Sequence, residues 1–147
     1  MTPLGRGAAA LAIALVATGT GYAVAAAASD PVASGPGTIT VEVGIDQSRF
    51  DMGDLRVVEG TLVEFVVCND DPIDHELVVG NAAVHARHAE GSEQRHPPVP
   101  GEVSVAPAVT ALTYYVFDDP GTVDYVCHLP GHQAYGMRGT IEVIPAD

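Results

Sequence analysis

The chain has 147 residues, six Lys+Arg against nineteen Asp+Glu for a formal charge of −13, 47% hydrophobic residues and two cysteines. That length and apolar content fit one domain with a real core and are too hydrophobic for a disordered chain. All the cations are arginines without a cluster to grip phosphate, which excludes nucleic acid and anionic membrane surfaces as partners, and two cysteines are too few for a disulfide-built miniprotein or a four-thiolate zinc site.

The N-terminal segment differs from the rest. Arg6 is the only charged side chain before Asp30, residues 8–16 (AAALAIALV) form a short apolar run, and Ala26-Ala27-Ala28 supplies small residues. Together these predict an export signal at 1–28 cleaved after Ala28, with retention of the segment as an anchor as the alternative. Cleavage removes one arginine and no acid, leaving five against nineteen, a charge of −14. Residues 29–37 follow as a short Gly/Pro-bearing tether, and 38–147 form the folded domain.

Beyond the tether the hydrophobic period is two, not 3.6. Ile39, Val41, Val43 and Ile45 alternate with Thr40, Glu42 and Gly44, which predicts a strand over 38–45. Further strands are expected at 55–58, 61–68, 75–79, 102–106, 111–117, 122–126 and 139–144, bordered by Gly, Pro or Asp. About eight short strands without an amphipathic helix make an all-β sandwich or barrel. One long connection, 80–101, interrupts the pattern; it is mostly polar and is expected to be a loop insertion.

The chemistry concentrates in residues 127–137 (CHLPGHQAYGM), between two expected strands and turned by Pro130-Gly131. A thiolate, an imidazole and a thioether on one loop form a soft, mixed donor set that suits copper better than calcium or magnesium, and Met is a poor zinc ligand. A trigonal copper site needs a second histidine from elsewhere. His75 opens a strand just after Asn69-Asp70-Asp71-Pro72 and is placed to supply it.

These features resemble the cupredoxins, small type 1 blue copper proteins of the plastocyanin, amicyanin and rusticyanin kind. The resemblance runs through TLVEFVVCND at 61–70, His75-Glu76-Leu77, the approach PGTVDY at 120–125 and GMRGTIEV at 136–143, and so covers nearly all of the domain. It implies a Greek-key β-sandwich, His75, Cys127 and His132 as equatorial ligands of one copper, and Met137 as the weak axial ligand. It further implies a buried His75 and a His132 whose ring edge meets solvent as the electron port. The expected function is an exported single-electron carrier rather than an enzyme. Two alternatives use the same ligands: a copper-buffering or delivery protein of the cell envelope, and a small subunit of a copper oxidase or reductase. The expected partner is a redox protein, either a basic one such as a cytochrome, drawn by the acidic surface, or a membrane oxidase; the chain is expected to be monomeric.

Neighbouring residues carry weaker signals. Cys68 is read as an inert bystander, since up to about 23 Å of extended chain separates it from His75. His128 is expected to be exposed, because the chain lacks the His-x-His pairs with which multicopper oxidases build a second cluster. Glu76 departs from the Asn that several cupredoxins place after the first histidine, and Tyr135 is a candidate shield over the copper. His85 and His88 would share a face if 80–101 made a helical turn, and with His96 they permit a second, adventitious Cu²⁺ or Zn²⁺ site, though a solvated loop is the favoured reading.

Overall fold

The computed structural model describes residues 36–91, 95 and 97–147. The expected signal at 1–28, residues 29–35 of the tether and His96 lie outside them. Two sheets make a sandwich. One has the order β2-β1-β4-β7, from Arg49–Phe50, Thr38–Asp46, Thr61–Asn69 and Thr110–Phe117; the other has the order β3-β9-β8-β5-β6, from Leu55–Val58, Arg138–Ile144, Gly121–Val126, His75–Gly80 and Glu102–Val105. The pairs β1–β4 and β3–β9 are parallel and the remaining pairs antiparallel.

The alternation read from sequence is what closes the sandwich. In β4, Val63, Phe65 and Val67 are fully buried while Glu64 between them is exposed, and Val43, Ile45, Phe117, Leu77, Val103 and Ile141 meet them from other strands. Burial of a side chain such as Phe65 contributes roughly 1.5–3 kcal/mol. Strand β5 is buried at all six positions. One face carries Leu77 and Val79 into the core; the other, with Glu76 and Val78, is covered from outside the sandwich.

Two elements were not expected. Residues 80–101 are not wholly a loop: Ala82–Glu90 form a helix, α1, capped by Asn81, whose Oδ1 accepts the N–H groups of Ala83 and Val84 at 3.0 and 3.2 Å. Alanines at 82, 83, 86 and 89 favour the helix, but none of its residues is buried, so no apolar stripe announces it. It lies against β5 at Gly80, where a Cβ would fall 2.8 Å from Val84 Cβ; only glycine admits this approach. The other element is β2, two residues long, turned back on β1 through Gln47 and Ser48 at φ 52° and 54°. Two consecutive left-handed residues match the two-residue hairpin turn that suits strand twist, although neither is glycine.

Candidate metal centre

One end of the sandwich gathers the donors. His75 begins β5 and is fully buried. Cys127 follows β8, Met137 precedes β9, and both are fully buried at the neck of the loop they bound. The neck is closed by Cys127 N–H donating to the Met137 carbonyl at 3.0 Å, and the loop is turned by Met137 N–H to His132 O and His132 N–H to Leu129 O. Gly136, at φ 102°, takes a left-handed conformation that returns the chain to β9. The ligand-type atoms of His75, Cys127 and His132 all lie within 4.8 Å of one another, the only such trio among the described residues. His75 Nδ1 is 3.1 Å from His132 Nδ1, and Cys127 Sγ is 3.3 Å from the same nitrogen.

The surroundings set the protonation states. Asp71 Oδ2 lies 2.8 Å from His75 Nε2; a carboxylate only accepts, so Nε2 carries the proton and the Nδ1 lone pair faces His132 and Cys127. Burial works against the Asp71 charge, but the N–H groups of Ser48 and Gln47 and the His75 ring outweigh it and hold its carboxyl below the ordinary value. Burial pushes the Cys127 thiol up to about 11, against the N–H groups of Glu76 and Leu129, which favour the thiolate. His132 is pushed down by its partial burial and by His75. Two imidazole nitrogens, a sulfur and a buried thioether fit copper, and a cation among them would offset the desolvation that keeps the thiol protonated.

A family model for copper-binding proteins of the plastocyanin/azurin family matches residues 37–144. This chain is a member of that family. The copper-resistant cuproprotein CopI of Rubrivivax gelatinosus is 33% identical over 101 residues, 67% of this chain and 61% of the relative, so the match spans about three fifths of that protein. Among solved structures, reduced auracyanin from Roseiflexus castenholzii superposes with a TM-score of 0.60 at 23% identity, covering 76% of this chain and all of the other. Auracyanin A, a "blue" copper protein of Chloroflexus aurantiacus, gives 0.58 at 25% identity over 74% of this chain and all of its own.

In this cupredoxin, copper is therefore the metal, and His75, Cys127 and His132 stand together with Met137 buried at the loop neck beside them. His132 is partly exposed, whereas His75 is not. Cys68 sits partly exposed on β4, and both cysteines are free thiols. Tyr135, the candidate shield, is 72% exposed and lies against the turn at Gly131. His128 is not on the open surface. It is half-buried beneath α1, and burial together with His85 and His88 pushes it down to about 4.

The roles of two residues of the centre are not legible in the sequence. Asp71 sits four positions before His75, in a run of acids where nothing local distinguishes it from Asp70 or Asp74. Glu76 was noted only as a departure. It proves to be a buried brace, with Oε1 accepting the backbone N–H of His128 at 2.7 Å and so tying β5 to the residue after Cys127.

Proposed function

We propose that this chain is an exported, non-catalytic copper-binding protein that holds one copper ion at His75, Cys127, His132 and Met137 and serves copper tolerance. The observation that carries the role is the 33% identity, over 67% of this chain, to a relative named as a copper-resistant cuproprotein. Bound copper supplies a one-electron couple between two oxidation states. The chain's own residues fix the donors beforehand: Asp71 holds the His75 ring with its lone pair inward, and Glu76 holds the backbone after Cys127. The donor atoms converge on one another, which suits holding a metal.

A second reading, a single-electron carrier, draws support from the same bracing. A site whose ligands are held in place reorganises little between oxidation states, and the partly exposed His132 gives the buried centre an edge at the surface. Its partner would be a redox protein of basic surface, steered by the excess of nineteen acids over six cations, or a membrane oxidase.

Deleting the gene in its own host and measuring growth against copper concentration tests the first reading. Lower tolerance, restored by the natural chain and not by Cys127→Ser, is expected; unchanged tolerance overturns it. Electron self-exchange measured by line broadening in mixed oxidised and reduced protein tests the second, and slow exchange rejects it.

A further inference from the structure

On the outer side of Cys127, three histidines meet. His128 Nε2 lies 2.9 Å from His85 Nδ1, and the His88 ring stacks on His128 with centroids 5.6 Å apart and planes 23° apart. His85 and His88 are three positions apart on α1 and so share a face. His85 Nε2 lies 3.0 Å from the Gly80 carbonyl and 3.2 Å from that of Asp124. Carbonyls only accept, so Nε2 carries the proton and the lone pair of Nδ1 faces His128. A second-layer acceptor that turns an imidazole lone pair inward is the arrangement that metal-binding histidines use, and Asp71 does the same for His75 in the first centre. On the far side, Glu102 accepts from His88 Nε2 at 2.9 Å and pairs with Arg87, placing a carboxylate against the cluster.

We propose that His85 and His128 form a second metal site, which takes divalent copper through His85 Nδ1 and His128 Nε2 and adjoins the first centre through the Cys127–His128 peptide bond. Two nitrogens each about 2.0 Å from one ion and at a right angle to it stand about 2.9 Å apart, the separation observed. A right angle between imidazole nitrogens suits the tetragonal preference of Cu²⁺, and Cu²⁺ leads the divalent first-row ions in affinity for such donors. Two protein nitrogens leave the remaining positions to water, with His88 stacked alongside. The position of His128 is built rather than incidental. Glu76 holds its backbone N–H, and the glycine at position 80 lets α1 come close enough to set His85 over it. The site stands on these contacts alone, whether the first centre stores copper or carries electrons.

The test is a Cu²⁺ titration of the full chain followed by paramagnetic resonance and metal analysis, with His85→Ala, His85→Gln, His128→Ala and Cys127→Ser proteins alongside. Two coppers per chain are expected, the second with wide hyperfine splitting and nitrogen couplings and with no added red absorption. The second copper is lost in both His85 proteins and in His128→Ala, while the red band of the first remains as the measure of an intact fold. In Cys127→Ser the red band vanishes and the second signal persists, so failure of the first centre and failure of the second are read separately. A ratio of one in the natural chain, a second copper retained without His85 or His128, or full displacement of that copper by equimolar Zn²⁺ overturns the proposal. The first of these results would leave the 2.9 Å contact as an ordinary N–H···N hydrogen bond.

Discussion

The carboxylate of Asp71 faces His75 Nε2 at 2.8 Å while it also accepts the N–H groups of Gln47 and Ser48 at 2.7 Å each. One side chain therefore holds both a strained hairpin turn of the first sheet and a candidate ligand of the second. The two consequences separate by substitution. Asp71→Asn keeps the shape but loses charge and one acceptor, and is expected to destabilise the chain by about 1.5–3 kcal/mol and weaken copper binding by about 10–100-fold. Thermal unfolding and competition with a chromophoric chelator measure the two losses; no change in either removes Asp71 from the centre.

Acid sensitivity follows from the same residue. Its folded pKa lies below the ordinary 3.8, so the stability it contributes is present above pH 3.8 and is lost as the pH falls through the folded value. Below pH 3.8 the natural chain is therefore expected to lose stability more steeply than Asp71→Asn. Parallel acid unfolding curves for the two proteins would contradict this.

For Cys127 the sign reverses. Burial raises the thiol from 9.0 to about 11, so the folded metal-free chain binds this proton more tightly than the unfolded chain does. The stabilisation is complete below pH 9.0 and lost as the pH rises through about 11. In metal-free Cys68→Ser protein, thiolate absorbance is expected to rise with a midpoint near 11, and alkylation at pH 8 to be slower than for an exposed cysteine. A midpoint at or below 9.0 would show that the hydrogen bonds from Glu76 and Leu129 outweigh burial.

Glu76 acts on the centre by two separable means, as an acceptor for the His128 N–H and as a negative charge that raises the Cys127 thiol. Glu76→Gln keeps the acceptor, so it should lower the thiol midpoint with little loss of stability. Glu76→Ala leaves a partly buried N–H without its partner and is expected to cost about 1–3 kcal/mol in chemical denaturation. Equal effects of the two substitutions would mean that the acceptor plays no part.

Gly80→Ala places a methyl group against Val84 and is expected to destabilise the chain by about 1–3 kcal/mol while lifting α1 from β5. Adding Val84→Ala should recover most of that loss. Amide exchange in α1 reports the lifting directly, and unchanged protection there would argue against it.

How much of this was legible beforehand depends on whether a residue's partner is local. The long strands and the three donors of the 127–137 loop could be read, because period-two burial and that loop are written in consecutive residues, whereas His75 as a ligand rested on the family resemblance. Strand β2 is too short to show a period. Helix α1 has no buried face, and its signal was the Asn81 cap, the alanines and Gly91. The roles of Asp71 and His128 depend on partners 23 and 43 positions away, Ser48 and His85, and no run of adjacent residues reveals such pairs.

The spacing of the donors also bears on how the chain folds. Three of the four lie on one loop between 127 and 137, whereas His75 comes from far earlier in the sequence, on β5 beside β8 in the same sheet, and its bracing acid is tied to a hairpin near residue 47. A nascent or unfolded chain can offer a metal only the loop, a loose partial site. The fourth donor comes into place only when distant strands have paired, so tight capture of the metal is a late event and reports that folding is complete.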